Sequence, residues 1–251
     1  MTAEMTPNSY RERPAPARLA GVVACLWSHD VYAAREQRVL PDGCLDLIWM
    51  DGAVHIAGPD TRAFLSTLNK GQTLTGLRFR PGTAPGVLGV PAYPLLDQRV
   101  RLDDLWPGET LTSRIESAND PATVLAAAVA SRATEPDRAL SAVLARLREG
   151  SSVRTTADAL GWTERALHRR CRDAFGYGPS VLRRILRFRT ALRLAVRGVP
   201  FAVTAARTGY ADQAHLAREV RALAGVPLGQ LLTANGANRS TPTPSGSCII
   251  A

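Results

Sequence analysis

The sequence predicts an α+β chain, in which a β-rich N-terminal domain with some helices precedes an all-α domain built on two helix-turn-helix motifs. Three observations carry this. Short alternating runs bounded by Pro, Gly and Asp turn signals occupy residues 38–80, and helix start and stop signals take over from Asp120. Between Ser151 and Leu232 a single helix-turn-helix pattern is written twice, its turn glycines Gly161 and Gly209 lying 48 residues apart. A chain of 251 residues is long enough to bury a core in each half.

Residues 1–17 are polar and interrupted by Pro7, Pro14 and Pro16, which predicts a flexible arm. The pattern tightens from Leu19, so residues 18–134 are assigned to the N-terminal domain. Arg38-Val39-Leu40 leads into the turn signal Pro41-Asp42-Gly43, and Cys44 to Met50 reads as a strand. Asp51-Gly52 is then a two-residue hairpin turn into Ala53 to Ala57. Gln72 to Arg80 reads as a further strand, with Leu77 and Phe79 on one face and Arg78 and Arg80 on the other, because successive side chains alternate. Pro81 to Gly86 is expected to be a loop.

Asp120-Pro121 pairs an N-cap with a first-position proline and opens a helix to Arg132. After a break at Glu135-Pro136, Asp137 to Glu149 is apolar at Leu140, Val143, Leu144 and Leu147 and is closed by Gly150. This helix begins the all-α domain, residues 137–233. There Thr155 to Leu160 and Val203 to Thr208 are the leading helices, and Glu164 to Phe175 and Asp212 to Leu223 follow the two turns. Between the motifs Pro179 to Arg197 reads as a single helix roughly 28 Å long, against a groove repeat of about 34 Å along one face of duplex DNA. The Ser/Thr/Pro/Gly-rich stretch 235–251 is expected to be disordered.

Charge is shared unevenly. Residues 137–233 hold 17 arginines against 7 acidic side chains, a net of +10, while the rest of the chain holds 14 basic and 15 acidic groups, a net of −1. The asymmetry favours a polyanionic partner for the C-terminal half. A basic surface alone fits RNA, heparin or an anionic membrane as well, and the duplicated motif is what selects duplex DNA. The cysteines Cys25, Cys44, Cys171 and Cys248 show neither CxxC spacing nor His pairing, so no metal site, cofactor or disulfide framework is indicated and a reducing cytoplasm fits. The apolar run Leu19 to Trp27 is too short to span a bilayer. Val22 to Cys25 and Cys248 to Ala251 mimic a lipoprotein box and a prenylation box, and both are read as chance.

The C-terminal half resembles the DNA-binding domain of AraC/XylS-type transcription regulators. The resemblance runs through Ala157, Gly161, Leu167-His168-Arg169, Gly176-Tyr177-Gly178-Pro179-Ser180 and Arg187-Phe188 to Gly209-Tyr210-Ala211-Asp212-Gln213-Ala214-His215-Leu216, Arg218 and Gly225-Val226-Pro227. It implies a cytoplasmic regulator of promoter DNA, with RNA polymerase, a small-molecule effector and a second copy of the chain as candidate partners. The N-terminal half resembles, through Pro41-Asp42-Gly43-Cys44-Leu45-Asp46-Leu47-Ile48, Gly58-Pro59, Arg78-Phe79-Arg80-Pro81-Gly82 and Leu102-Asp103-Asp104-Leu105-Trp106, an uncharacterised AraC-associated sensing domain. That likeness implies a partly β, cupin-like sensing or dimerisation module.

In the first recognition helix the four-residue recurrence of Leu167, Cys171 and Phe175 marks the core side and leaves Arg165, His168, Arg169 and Arg172 outward. Arginine can take guanine O6 and N7 together, and Arg165, His168 and Arg169 align with base-reading positions of the family. In the second helix Leu216, Val220 and Leu223 face inward, and Gln213, Ala214, Ala217, Arg218 and Arg221 face outward. Gln213 suits adenine, and the alanines leave room for a thymine methyl. Asp212 reads as an N-cap, and His215 as a cap or packing residue. Some arginines on either helix, and the linker's Arg183, Arg184, Arg187, Arg189, Arg193 and Arg197, grip phosphate only or are simply solvated. Cys171, flanked by Arg170 and Arg172, suits a low-pKa sensor or, at its core-facing position, plain packing.

Two rivals remain. A cupin-like metal-dependent enzyme fused to a DNA-binding domain would draw on His29, Asp46, His55, Asp60, Arg78 and Arg80, but no metal or nucleophile motif accompanies them, so no enzyme activity is expected. A sensor pocket would be lined by Trp49, His55 and Arg78, with Trp27 and Phe79 as further candidates otherwise assigned to the core. A non-specific DNA-coating protein would show no preference among duplexes.

Overall fold

The computed structural model describes residues 9–108, 110–236 and 249–250. Its N-terminal half is built on a six-stranded sheet formed by β1 (Ser9–Pro14), β2 (Val23–Asp30), β4 (Asp46–Met50), β5 (Ala53–Ala57), β7 (Thr73–Phe79) and β8 (Arg99–Arg101), in the order β1-β2-β7-β4-β5-β8. A smaller sheet holds β6 (Phe64–Leu68), β3 (Arg35–Val39) and β9 (Ile249–Ile250) in that order. Every pairing is antiparallel. The expected β-rich module followed by a helical domain is the observed architecture.

Alternation gives the large sheet two different faces. Leu26, Leu47, Ile56, Leu77 and Phe79 meet the helices α1 (Ala84–Leu88), α2 (Leu111–Glu116) and α3 (Pro121–Ala130) in a closed apolar core. The opposite face, with Trp27, Asp46, Ile48, Met50, His55, Leu74 and Arg78, looks across a cavity toward Gln37, Val39, Phe64, Ser66 and Leu68 of the smaller sheet. Gly76 is paired with Trp27 across β7 and β2, and a Cβ there would stand 2.2 Å from the indole ring. The glycine is therefore the slot into which the tryptophan lies. The hairpin turn at Asp51-Gly52 has positive φ at both residues, 50° and 72°, as a type I′ turn requires.

Four expectations change. Residues 9–14, assigned to a flexible arm, form the edge strand β1, because Tyr10 and Glu12 point inward beside Trp27 and Arg78. Residues 237–248 and 251 of the expected disordered tail lie outside the described residues, while 235–236 close a helix and 249–250 pair with β3. The supposed loop at 81–86 already contains the start of α1, whose Pro85 sits in the first turn where a missing N–H costs nothing. Trp49 and Phe79 leave the pocket list: both lie on the helix-facing side, Phe79 within the core and Trp49 packed against it.

The C-terminal half follows α4 (Arg138–Arg148), α5 (Val153–Ala159), α6 (Glu164–Phe175), α7 (Pro179–Val196), α8 (Phe201–Arg207), α9 (Gln213–Ala224) and α10 (Leu228–Gly236). Its starts are set by local chemistry. Asp137, Ser152, Thr163 and Asp212 each accept backbone N–H groups of the first turn, and α6 and α9 end on left-handed Gly176 and Gly225. The core joins Leu167, Cys171, Phe175, Leu182, Ile185, Phe188, Leu216, Val220 and Leu223, with Leu40 of the N-terminal half included.

Candidate nucleic-acid interface

Each recognition helix is amphipathic in the sense its spacing predicts. Leu167, Cys171 and Phe175 of α6, and Leu216, Val220 and Leu223 of α9, are at most 1 % exposed. The opposite side is solvent-facing at Arg165, His168, Arg169 and Arg172 on α6, and at Gln213, Ala214, Ala217, Arg218 and Arg221 on α9. Burial drives the Cys171 thiol up to about 12, so it is a packing residue and a poor thiolate. Two of these outward groups on α6, and Arg170 beside them, already have local neighbours. His168 lies over Gly178, Arg172 stacks on Tyr93 at 4.7 Å, and the adjacent Arg170 stacks on Trp162 at 4.4 Å.

On α9 the first turn is locked by side chains. Asp212 Oδ1 accepts the His215 N–H at 2.6 Å, and the His215 ring accepts the Ala211 N–H at 3.3 Å while its plane stands at 90° to Tyr210. His215 thus holds the turn. That frees Gln213 and Ala214 to be presented at the start of the helix. The linker helix α7, 18 residues or roughly 27 Å long, holds α9 through Glu219, which accepts from Arg184 Nε at 2.7 Å and Nη2 at 3.2 Å. Arg187 stacks on Tyr210 at 4.2 Å and donates to Gly209 O at 3.3 Å. So Arg184 and Arg187 fasten the second motif and Arg183 donates to Ser151 O at 3.4 Å, whereas Arg193 and Arg197 stay exposed. Sequence spacing gave no sign of the Glu219 pairing, since its partner lies 35 residues away.

The N-terminal half grips the far end of both recognition helices. Ala92 N–H donates to Asp173 O at 2.7 Å in the last turn of α6, and Ala63 N–H donates to Leu223 O at 2.7 Å in the last turn of α9. Arg38 adds a bond from Nη1 to Ala224 O at 2.9 Å. These are carbonyls that a helix cannot satisfy internally. The two end glycines are contact points as well: a Cβ on Gly176 would meet Pro59 at 2.5 Å, and one on Gly225 would meet Arg38 at 3.1 Å. None of Arg38, Pro59, Ala63 or Ala92 carries a motif that marks it for this role.

Of the residues assigned to a sensor pocket, His55 and Arg78 do line the cavity, together with Trp27. Its volume is about 250 Å³. Arg78 is tied down within the wall. It is 4 % exposed and donates to Asp46 from Nε at 3.0 Å and from Nη2 at 2.9 Å. Glu12 and Asp42 stand at 3.7 and 3.8 Å. Among the described residues no group of three or more His, Cys, Asp and Glu side chains is placed to hold a metal ion, and no helix is long and apolar enough to cross a membrane.

Comparison with known families agrees with the helical geometry. Residues 156–234 match the family model described as a helix-turn-helix domain. The C-terminal region is an AraC-type helix-turn-helix domain. Such a domain supports a DNA-binding transcription regulator. Residues 11–101 match a second model, described as Domain of unknown function (DUF6597). No curated protein matches the chain. Among solved structures, an apo variant of ToxT from Vibrio cholerae strain SCE256 is 10 % identical over 88 % of this chain and 99 % of its own, with a TM-score of 0.47. ToxT from Vibrio cholerae O395 is 9 % identical over 91 % and 98 %, with a TM-score of 0.46.

Proposed function

We propose that the chain is a sequence-specific, non-enzymatic transcription regulator of the cytoplasm, with residues 137–233 as its DNA-binding domain and 18–134 as its control domain. The AraC-type domain lays α6 and α9 in successive major grooves of promoter DNA. Arg165, His168, Arg169 and Arg172 then face the first groove, and Gln213, Ala214, Ala217, Arg218 and Arg221 the second. The observation that carries this reading is the repeated exposure of one polar side on two helices that a single rod fastens, while their other sides are buried in one core. Control is exerted from the cavity side. The strand β3 contributes Gln37 and Val39 to the cavity wall and Arg38 to the end of α9, so occupancy of the cavity and placement of α9 share one strand.

The test is selection of genomic fragments by the full chain, followed by competition against random duplex. A preference of about 10³-fold or more is expected, reduced by both Arg169→Ala and Arg218→Ala. Equal binding to random duplex would instead support the DNA-coating reading.

A further inference from the structure

The cavity between the two sheets has a polarity of its own. Its body is apolar, formed by Trp27, Ile48, Met50, Leu68 and Leu74. Its polar lining includes the carboxylates Asp42, Asp46 and Asp60, the guanidinium groups of Arg78 and Arg99, and the Gln37 amide. Gln37 is 5 % exposed, faces the cavity, and its Oε1 accepts no hydrogen bond. A buried acceptor without a donor is costly, and its persistence inside a cavity points to a donor that arrives with a ligand. Across the cavity Asp46 Oδ2 already accepts from Arg78 and Trp27, whereas Oδ1 accepts from Arg78 Nε alone and keeps a lone pair.

The cations of the cavity are engaged. Arg78 is held by Asp46, and Arg99 donates to both oxygens of Asp60 at 2.9 and 2.7 Å while stacking on Phe64 at 4.1 Å. Arg35 stands behind the wall and holds His29 Nε2 at 3.2 Å. The ionisable lining is Asp42, Asp46 and Asp60 against Arg78 and Arg99, with the Cys44 thiol, His29 and His55 all pushed toward the neutral form by burial. An anionic ligand would have to displace a buried carboxylate from its arginine. A cation replaces nothing, and the indole of Trp27 lines the cavity, where an aromatic ring attracts a cation.

We infer that this cavity binds a small primary ammonium ion with an apolar body, its N–H donors on Gln37 Oε1 and Asp46 Oδ1 and its body against Trp27, Ile48 and Leu74. The inference rests on the reading of residues 18–134 as a control domain and names the chemistry of its signal. The volume of about 250 Å³ restricts the ligand to a compact amine.

The experiment uses the purified full chain with butylammonium, phenethylammonium and tryptammonium, with hydrocinnamate as the anionic counterpart and phenethyl alcohol as the neutral one. Saturable thermal stabilisation by at least one amine is expected, with none from hydrocinnamate. Gln37→Leu should melt at or above the wild-type temperature, because an unpaired acceptor is removed. It should also bind the amine about ten-fold more weakly, the weight of one buried hydrogen bond. Stabilisation by hydrocinnamate equal to that by the amine, no shift with any amine, or full amine affinity in Gln37→Leu would each overturn the inference. The wild-type chain is assayed on the selected duplex as well: absence of amine binding with duplex preference present sinks this inference alone, and absence of duplex preference sinks the regulator reading.

Discussion

Arginine does opposite work in the two halves of this molecule. In the N-terminal half, where formal charge nearly balances, Arg78 and Arg99 are turned inward and paired with Asp46 and Asp60. On the recognition helices of the C-terminal half, where the net charge is +10, Arg165, Arg169, Arg218 and Arg221 face solvent. The difference teaches that the partner already in place, and not the residue type, decides whether an arginine stabilises the fold or waits for an outside anion. A buried guanidinium paired bidentately has its hydration replaced; an exposed one keeps its hydration until phosphate or a base edge displaces it.

The largest test of that contrast is Arg78→Leu, which leaves Asp46 and its neighbouring carboxylates buried without their cation. A stability loss of about 3–5 kcal/mol is expected, measured from the denaturant midpoint of the full chain. Arg169→Ala is its counterpart. It should leave stability within about 0.5 kcal/mol yet cost about 1–3 kcal/mol of duplex discrimination, read by titration with selected and single-base-altered sites. If the two variants destabilised the fold equally, the contrast between the halves would be broken.

A third test uses pH. Burial, followed by the nearby Arg35 cation, lowers His29 from its ordinary 6.5 to about 4. The unfolded chain therefore binds a proton at this site between pH 6.5 and about 4 while the folded chain does not. Its contribution to stability is complete above the unfolded value and is lost as pH falls through the folded one. In melting profiles, wild type should lose stability relative to His29→Gln as pH is lowered across this window. Parallel profiles would show that the N-terminal half does not hold the imidazole neutral.

How much of this was legible follows from how local each cause is. Helix boundaries in the C-terminal half were readable because caps act within three residues: Asp137, Thr163 and Asp212 open helices, and Gly176 and Gly225 close them. The outward faces of α6 and α9 were readable from the period of their apolar positions. In the other half the causes are distant. Strand β3, Arg-Glu-Gln-Arg-Val, has no apolar alternation to mark it as a strand, and its pairing with β6 turns Gln37 toward the cavity. Trp49 and Trp27 are equivalent in composition, yet register puts Trp27 opposite Gly76 and Trp49 opposite Thr75 on the other face. Ala63 and Ala92 bind the recognition helices through backbone N–H groups, which no side-chain pattern can announce.

The smallest effect probes a carboxylate that ties two helices of the basic half together. Hydrogen bonding from Arg184 holds Glu219 below its ordinary value, helped by the charges of Arg184 and Arg187, and both partners are partly exposed. Solvent screening therefore limits what Glu219→Gln can cost to about 0.5 kcal/mol. Because the folded carboxyl is the stronger acid, the wild-type advantage is present above the unfolded value and fades as pH falls through the folded one. It should also shrink at high salt. Duplex binding separates the two roles of the residue, since losing a negative charge beside Arg218 favours phosphate while loosening α9 on its rod costs discrimination. Tighter binding to random duplex together with a smaller preference for the selected site is the expected outcome. An unchanged preference would mean that the Arg184–Glu219 pair leaves the placement of α9 to its buried side chains alone.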